Sequence, residues 1–235
     1  MNSPVLSGTI DNPFDEFNYW WNLSGKHVEE PNVRRGGWSG VKRSSLQFAH
    51  PVYIKQQVNH NHRSILHPFG RPTILREVEG IKACRKHGIR TLDLLFYGNR
   101  RQRDGHRAMM VTRELKNYIS LKDWLASCPE QQQHLDRVLR EMARTIARFN
   151  NARWQHGSLY AKHIFVKISA DTENAPRVKV ALIDLEKSRR RLTRNQASRH
   201  DIAQLGRHSE LTEAAWKTFL NYYRLYFDDS ANLAS

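Results

Sequence analysis

Trp154-Gln155-His156-Gly157-Ser158-Leu159-Tyr160-Ala161-Lys162-His163-Ile164-Phe165-Val166, followed by Val180-Ala181-Leu182-Ile183-Asp184-Leu185-Glu186-Lys187-Ser188, decides the fold. The first segment is a polar loop that runs into a stretch rich in β-branched and aromatic residues, which predicts a strand. The second is an apolar run that ends on a carboxylate, so a strand delivers Asp184 into a cleft. The polar text between them, "SADTENAPR" at 169–177, supplies the turn. Upstream, residues 131–150 form an amphipathic helix, with Leu135, Val138, Leu139, Met142, Ile146 and Phe149 on one face. Downstream, Asp201 sits near a helix start in "SRHDIAQL", and an aromatic-rich helix follows at about Thr212–Phe227.

The first half is written in strands. "PVYIKQQ" is dense in β-branched and aromatic residues and carries Lys55 at its end, fifteen positions after Gly40 of a glycine-bearing turn, "RRGGWSGV". Gly36, Gly37 and Gly40 let backbone N–H groups approach an anion with no Cβ in the way; an ordinary hairpin turn is the alternative. A helix then starts near Pro72 and stops before Gly88. With Ile74 as the zero of its wheel, Val78 and Ile81 fall within about 40°, Glu77 about 60° away and Glu79 on the opposite side. A carboxylate on a buried stripe requires a partner, and Lys55 is the one expected. Leu92–Tyr97 and Ala108–Thr112 flank a polar loop and predict a hairpin.

In order, these parts are a glycine turn, a strand-borne Lys55, a helical Glu77, the loop around His156, Asp184 and then Asp201. That series is how kinases cover, neutralise and metal-clamp the phosphates of ATP. Asp184 takes the place of the metal-binding carboxylate and Asp201 that of the residue buttressing the catalytic loop. Glu114 joins the nucleotide-binding group. Two positions depart from a working kinase. Ser158 stands where the catalytic Asp is expected, and His163 stands where an Asn would hold a second Mg²⁺. A serine cannot act as a carboxylate base, and neutral imidazole is a poor ligand for hard Mg²⁺. Glu186, two residues beyond Asp184, is the candidate substitute for the base or a shared metal ligand.

The charge is strongly positive, 38 Lys+Arg against 23 Asp+Glu, a formal +15. This favours polyanionic partners: nucleic acid, anionic lipid or phosphorylated glycan. No nucleic-acid-binding motif accompanies it, so nucleic acid is the weakest of the three. The run "EKSRRRLTR" places Arg189, Arg190 and Arg191 where they could grip phosphate or carboxylate groups; a solvated charge run is the bland alternative. Two cysteines, Cys84 and Cys128, lack metal-ligand spacing and fit a reducing compartment. His60, His62 and His67 have no adjacent Cys or acidic ligand, and no metal role is expected of them. No apolar run is long enough to span a bilayer, and the first 14 residues do not read as a signal peptide. The aromatic segment "DEFNYWWNLSG" predicts a helical turn packed on the domain, with a membrane-interface role as the alternative.

Across nearly the whole chain, "DEFNYWW", "VEEPNVRRGGWSGV", "YIKQQ", "HPFGRPTILREV", "QHGSLYAKHIFVK" and "IDLEKSRRRLTR" resemble the InaA branch of the lipopolysaccharide kinase (Kdo/WaaP) family, within the protein-kinase-like superfamily. The resemblance implies an α+β, two-lobed fold. Residues 1–30 are then a lead-in with the aromatic segment. Residues 31–115 make a small antiparallel, β-rich N-lobe with the glycine turn, Lys strand, Glu helix and hairpin, and 116–235 a helical C-lobe. It also implies ATP and Mg²⁺ as cofactors and lipopolysaccharide core sugar as acceptor. The expected place is the cytoplasmic side of the inner membrane, bound peripherally through basic charge to anionic glycolipid or lipid. Proteins of this branch are described as stress-responsive. With Ser158 in place of the base, the alternative is a nucleotide-binding pseudokinase that senses or relays stress.

Overall fold

The computed structural model describes residues 13–34, 36–45, 50–64, 67–103, 105–127, 133–169 and 176–228. The expected lead-in at 1–12, Cys128, the start of the 131–150 helix and most of the 169–177 turn lie outside them, as does the His67 side chain. The chain forms two compact units. One comprises the described residues of Met1–Pro72 and Leu94–Glu114, the other those of Thr73–Asp93 and Leu115–Ser235.

The first unit is an antiparallel sheet under a short helix, α1 (Pro13–Asn22). Its strands are β1 (Lys26–His27), β2 (Asn32–Arg34), β3 (Gly37–Ser44), β4 (Val52–Val58), β7 (Asp93–Gln102) and β8 (Gly105–Arg113), in the order β1-β3-β4-β8-β7 with β2 also on β3. A separate pair is made by β5 (Asn61–Ser64) and β6 (His67–Pro72). β4 is the central strand. Its alternating residues Val52 and Ile54 meet Met109 and Val111 of β8, and Phe17 and Trp20 of α1 close that core, with Trp20 only 6% exposed. The aromatic segment therefore packs on its own unit. The glycine turn is the β2–β3 hairpin, with Arg34 opposite Gly37. Only Gly36 lies in the turn, at φ 73°; Gly37 and Gly40 are inside β3. A Cβ on Gly37 would meet the Val58 carbonyl oxygen, so the close approach of β4 requires glycine there.

The second unit carries the helices. α2 (Thr73–Lys86) begins one residue after Pro72 and ends in a Schellman motif: Ile89 N–H donates to Cys84 O at 2.8 Å and Gly88 N–H to Arg85 O at 3.1 Å, with Gly88 left-handed. Its apolar stripe, Ile74, Val78 and Ile81, is buried and Glu79 is exposed, as the periodicity requires. The remaining elements are β9 (Ile119–Ser120), α3 (Leu121–Ala126), α4 (Leu135–Asn151), β10 (Trp154–Gln155), β11 (Ile164–Ser169), β12 (Arg177–Leu182), β13 (Arg189–Arg190), α5 (Arg194–His208) and α6 (Glu213–Asp228). β12-β11-β9 form one antiparallel sheet and β10-β13 another. Val138, Leu139, Met142, Ile146 and Phe149 of α4 are each at most 1% exposed and pack against α6, α5 and β12. Each such burial is worth about 1.5–3 kcal/mol before the entropy of ordering is subtracted. The sequence reading puts α2 in the first lobe, whereas α2 packs in the second unit, against the turn Leu185–Lys187 that follows Asp184.

Candidate active site

Asp201, expected near a helix start, lies at the middle of α5 and is fully buried. A buried carboxylate survives only with donors around it. Its Oδ2 accepts the His156 N–H at 2.7 Å and an Asn150 Nδ2 hydrogen at 2.9 Å, and its Oδ1 accepts the Gly157 N–H at 3.1 Å. The α5 helix is itself started by Thr193, whose hydroxyl accepts Gln196 N–H at 3.2 Å. Three residues after Asp201, Gln204 accepts Leu159 N–H at 2.8 Å and donates to the Tyr160 hydroxyl at 3.1 Å. One helix thus fixes three backbone amides of the loop, those of His156, Gly157 and Leu159, and the Tyr160 hydroxyl beyond them. Asn150, at the end of α4, also donates to Trp154 O at 3.0 Å and is oriented by the Tyr223 hydroxyl at 2.9 Å.

The loop needs a glycine at its second position. Gly157 adopts φ 78°, and a Cβ there would lie 2.6 Å from Lys187 O. The approach brings the loop against the turn carrying Glu186. His156 is fully buried; its Nδ1 accepts the Ser158 N–H at 3.3 Å, so Nε2 holds the proton donated to Ile183 O at 3.0 Å. Burial pushes its pKa down from the ordinary range, which suits this neutral tautomer. Ser158 is buried too, and its carbonyl accepts from His163 Nδ1 at 2.7 Å. Asp184, in the left-handed conformation at φ 56° and ψ 55°, points its Oδ2 at His163 Nε2, 3.1 Å away.

That contact is chemically demanding. A carbonyl only accepts, so His163 Nδ1 carries a proton. A neutral ring would then turn the Nε2 lone pair toward the carboxylate, and the approach is attractive only with a proton on Nε2 or a cation shared between the two. Burial lowers the His163 pKa and Asp184 opposes that shift. The Asp184 side chain is 39% exposed and so stays open to cations. The Asp184 oxygens fit hard Mg²⁺; the imidazole of His163 does not.

Glu186 follows in a 3-10 turn, Leu185–Lys187, held to α2 through its carbonyl, which accepts from Arg76. Arg189 and Arg190 are exposed on β13, whereas Arg191 is half-buried, donating from Nε to Gln155 Oε1 at 2.6 Å. The structure therefore separates this arginine run into two exposed cations and one bracing residue. Glu77 is buried on α2 at 3% exposure. In the first unit, Lys55 is half-buried on β4, facing Val41 on β3 and Met110 on β8 in register. Glu114, placed by sequence with the nucleotide-binding group, lies in the first unit, where its Oε1 accepts from Arg43 at 3.2 Å and from the Tyr53 hydroxyl at 3.2 Å.

Asn150, Gln204 and Tyr223 were not legible as site residues. A lone Asn at the end of an apolar helix reads as a helix stop, and a Gln one turn after Asp201 as solvent-facing. The only usable signal was the i, i+3 spacing that places Gln204 beside Asp201 on one helical face.

An antiparallel β-rich unit, a mainly helical unit, a buried Asp bracing a His-Gly loop and an Asp two residues beyond the end of β12 are the parts of a kinase-like fold. Residues 18–223 match the lipopolysaccharide kinase (Kdo/WaaP) family, and the chain belongs to it. It is 37% identical to Protein InaA of Escherichia coli (strain K12) over 215 residues, covering 89% of this chain and 96% of that one. Its fold matches that of WaaP in a structure described as a complex with acyl carrier protein, at TM-score 0.64 and 21% identity, over 95% of this chain and 92% of that one. The chain therefore has the mixed α/β, kinase-like architecture. Among the described residues, no helix is long and apolar enough to cross a membrane.

Proposed function

We propose that this protein is an ATP-dependent phosphotransferase acting on a sugar hydroxyl of the lipopolysaccharide core. Kinase chemistry follows from the family. The observation that carries the reading for this chain is the loop at His156–Ser158 held by Asp201 beside an accessible Asp184 carboxylate. Phosphoryl transfer depends mainly on positioning and charge neutralisation, and both can be supplied here without a carboxylate base. Lys55 neutralises phosphate charge and Asp184 holds Mg²⁺. The exposed Arg189 and Arg190 bind anionic groups of the glycolipid, and the +15 charge keeps the protein peripheral to the cytoplasmic face of the inner membrane. Mg²⁺, when bound, would neutralise the charge developing on the transferred group; Asp201, Asn150 and Gln204 hold the His156–Leu159 loop in place.

The test is calorimetric Mg·ATP binding together with turnover, with and without purified inner-core lipopolysaccharide. Lys55→Ala and Asp184→Ala each weaken nucleotide binding while leaving the circular-dichroism spectrum unchanged; unchanged affinity in both variants removes the reading. A second reading, a nucleotide-binding pseudokinase, is favoured by one observation: His163 Nε2 sits 3.1 Å from one of the two Asp184 oxygens, Oδ2. ATP binding without turnover in the presence of lipopolysaccharide selects it.

A further inference from the structure

The connection from α2 to β7 lies along the second unit, remote in sequence from the His156 loop. Its main chain joins the β12 edge: Leu182 N–H donates to Arg90 O at 3.0 Å, and the Thr91 hydroxyl donates to Leu182 O at 2.6 Å. Between this connection, α4 and β12 is a cavity of about 100 Å³, lined among others by Arg90, Arg144, Arg148, Lys179 and Glu141. A shallower cavity of about 310 Å³ adjoins it through Gly88, Ile89 and Arg90. None of the lining residues belongs to the loop around His156 or to the Asp184 turn.

The charges in the smaller cavity do not balance. Glu141 is taken by Arg144 in a bidentate pair, at 2.9 and 3.0 Å. In the adjoining cavity Asp93 is likewise taken, by Arg85 at 2.5 Å. Arg148 reaches only the Gly88 carbonyl, at 3.5 Å. Among the described residues, the Arg90 and Lys179 side chains have no hydrogen-bond or ion-pair partner. The nearby α2 terminus does not supply the missing negative charge in full, because the Cys84 and Arg85 carbonyls are already bonded. Three cations therefore converge on one concavity with no carboxylate to neutralise them. Arg90 is exposed and Arg148 and Lys179 are half-buried, so solvent screens their mutual repulsion only in part and leaves a net attraction for an anion.

We propose that this cavity binds a compact phosphate dianion, free or as a phosphate ester, at a site separate from the candidate active site. Arg90 and Arg148 present planar forks suited to two oxygens each, and Lys179 contributes a point charge from β12. Arg144, pinned by Glu141, shapes the wall.

The experiment uses the full chain and compares thermal unfolding in sodium phosphate with sodium chloride at matched pH and ionic strength. At phosphate tenfold above Kd the melting midpoint of the parent rises by about 3–6 °C relative to chloride. The difference disappears in Arg90→Gln/Lys179→Gln, whatever that variant's own stability, and persists in Lys55→Ala and Asp184→Ala. The proposal is overturned by an equal midpoint in phosphate and chloride, by a difference that survives Arg90→Gln/Lys179→Gln, or by one that vanishes in Lys55→Ala. Sedimentation with phosphatidic acid vesicles then separates the sources. Pelleting that the double variant loses assigns the ligand to a lipid headgroup, and pelleting that it keeps assigns it to a soluble phosphate.

Discussion

His163 Nε2 sits 3.1 Å from Asp184 Oδ2, with the opposite ring nitrogen bound to the Ser158 carbonyl. A divalent ion at Asp184 meets the imidazole nitrogen across this contact, and imidazole is a poor ligand for a hard cation. His163→Asn substitutes a neutral amide oxygen. It is expected to tighten Mn²⁺ binding, followed by electron paramagnetic resonance with and without ATP, by on the order of tenfold. Equal affinity in the two proteins would show that His163 does not compete for the site.

Asp201 accepts from two loop amides and from Asn150. Asp201→Ala leaves the His156 and Gly157 N–H groups buried and unpaired, at about 1–3 kcal/mol each. Urea unfolding is expected to show a loss of at least about 2 kcal/mol. Gln204→Ala, which frees only Leu159 N–H among the loop amides, loses about 1–3 kcal/mol. A smaller loss for Asp201→Ala than for Gln204→Ala would contradict the network.

On the proposed kinase reading, Ser158 stands where the catalytic base is expected. Ser158→Asp is expected to raise single-turnover phosphate transfer by about 10²–10⁴-fold, the range general-base assistance supplies. If Glu186 has already assumed that role, Ser158→Asp gains little and Glu186→Gln abolishes turnover. Rapid-quench assays on both variants separate the two assignments.

Cys84 is fully buried on α2, and burial pushes its thiol up to about 12 from an ordinary 9.0. Above pH 9 the unfolded chain has released this proton while the folded chain still holds it, so stability falls as pH rises from 9 toward 12. Cys84→Ala is expected to reduce that slope in denaturation curves measured across the window. In a Cys128→Ser background, the native protein reacts with iodoacetamide only as fast as it opens; reaction at the rate of a free thiol peptide would refute the burial.

Some of this was written in the residues. The wheel of α2 put Glu77 on the apolar edge and Glu79 outside, and the structure buries the first and exposes the second. Val138 to Phe149 marked the buried face of α4 through its period alone. A periodicity states which face is buried but not against what, so the packing of α2 in the second unit was not legible. Glu114 shows the same limit at a single side chain: its partner Arg43 is 71 positions away, and no local pattern links them. Arg191 looked like its neighbours until β10 and β13 paired and set Gln155 beside it. The Asn150–Tyr223 bond, between helices 73 positions apart, belongs to the same class.

The placement of α2 also has a consequence in time. Its side chains leave the ribosome early, yet Arg76 finds the Glu186 carbonyl 110 positions later, and Thr91, in the connection that follows α2, finds Leu182 after 91. A helix of 14 residues is marginal in water by itself, so during synthesis α2 waits with an apolar stripe uncovered. The sheet of β3, β4 and β8 can close as soon as residue 113 has emerged. Refolding should therefore be biphasic, with the strand-rich unit protected from hydrogen exchange first and α2 last, together with β12, the strand that precedes Asp184. A nascent chain stalled before residue 180 would hold a finished sheet beside an unfinished kinase, a species well suited to capture by a chaperone.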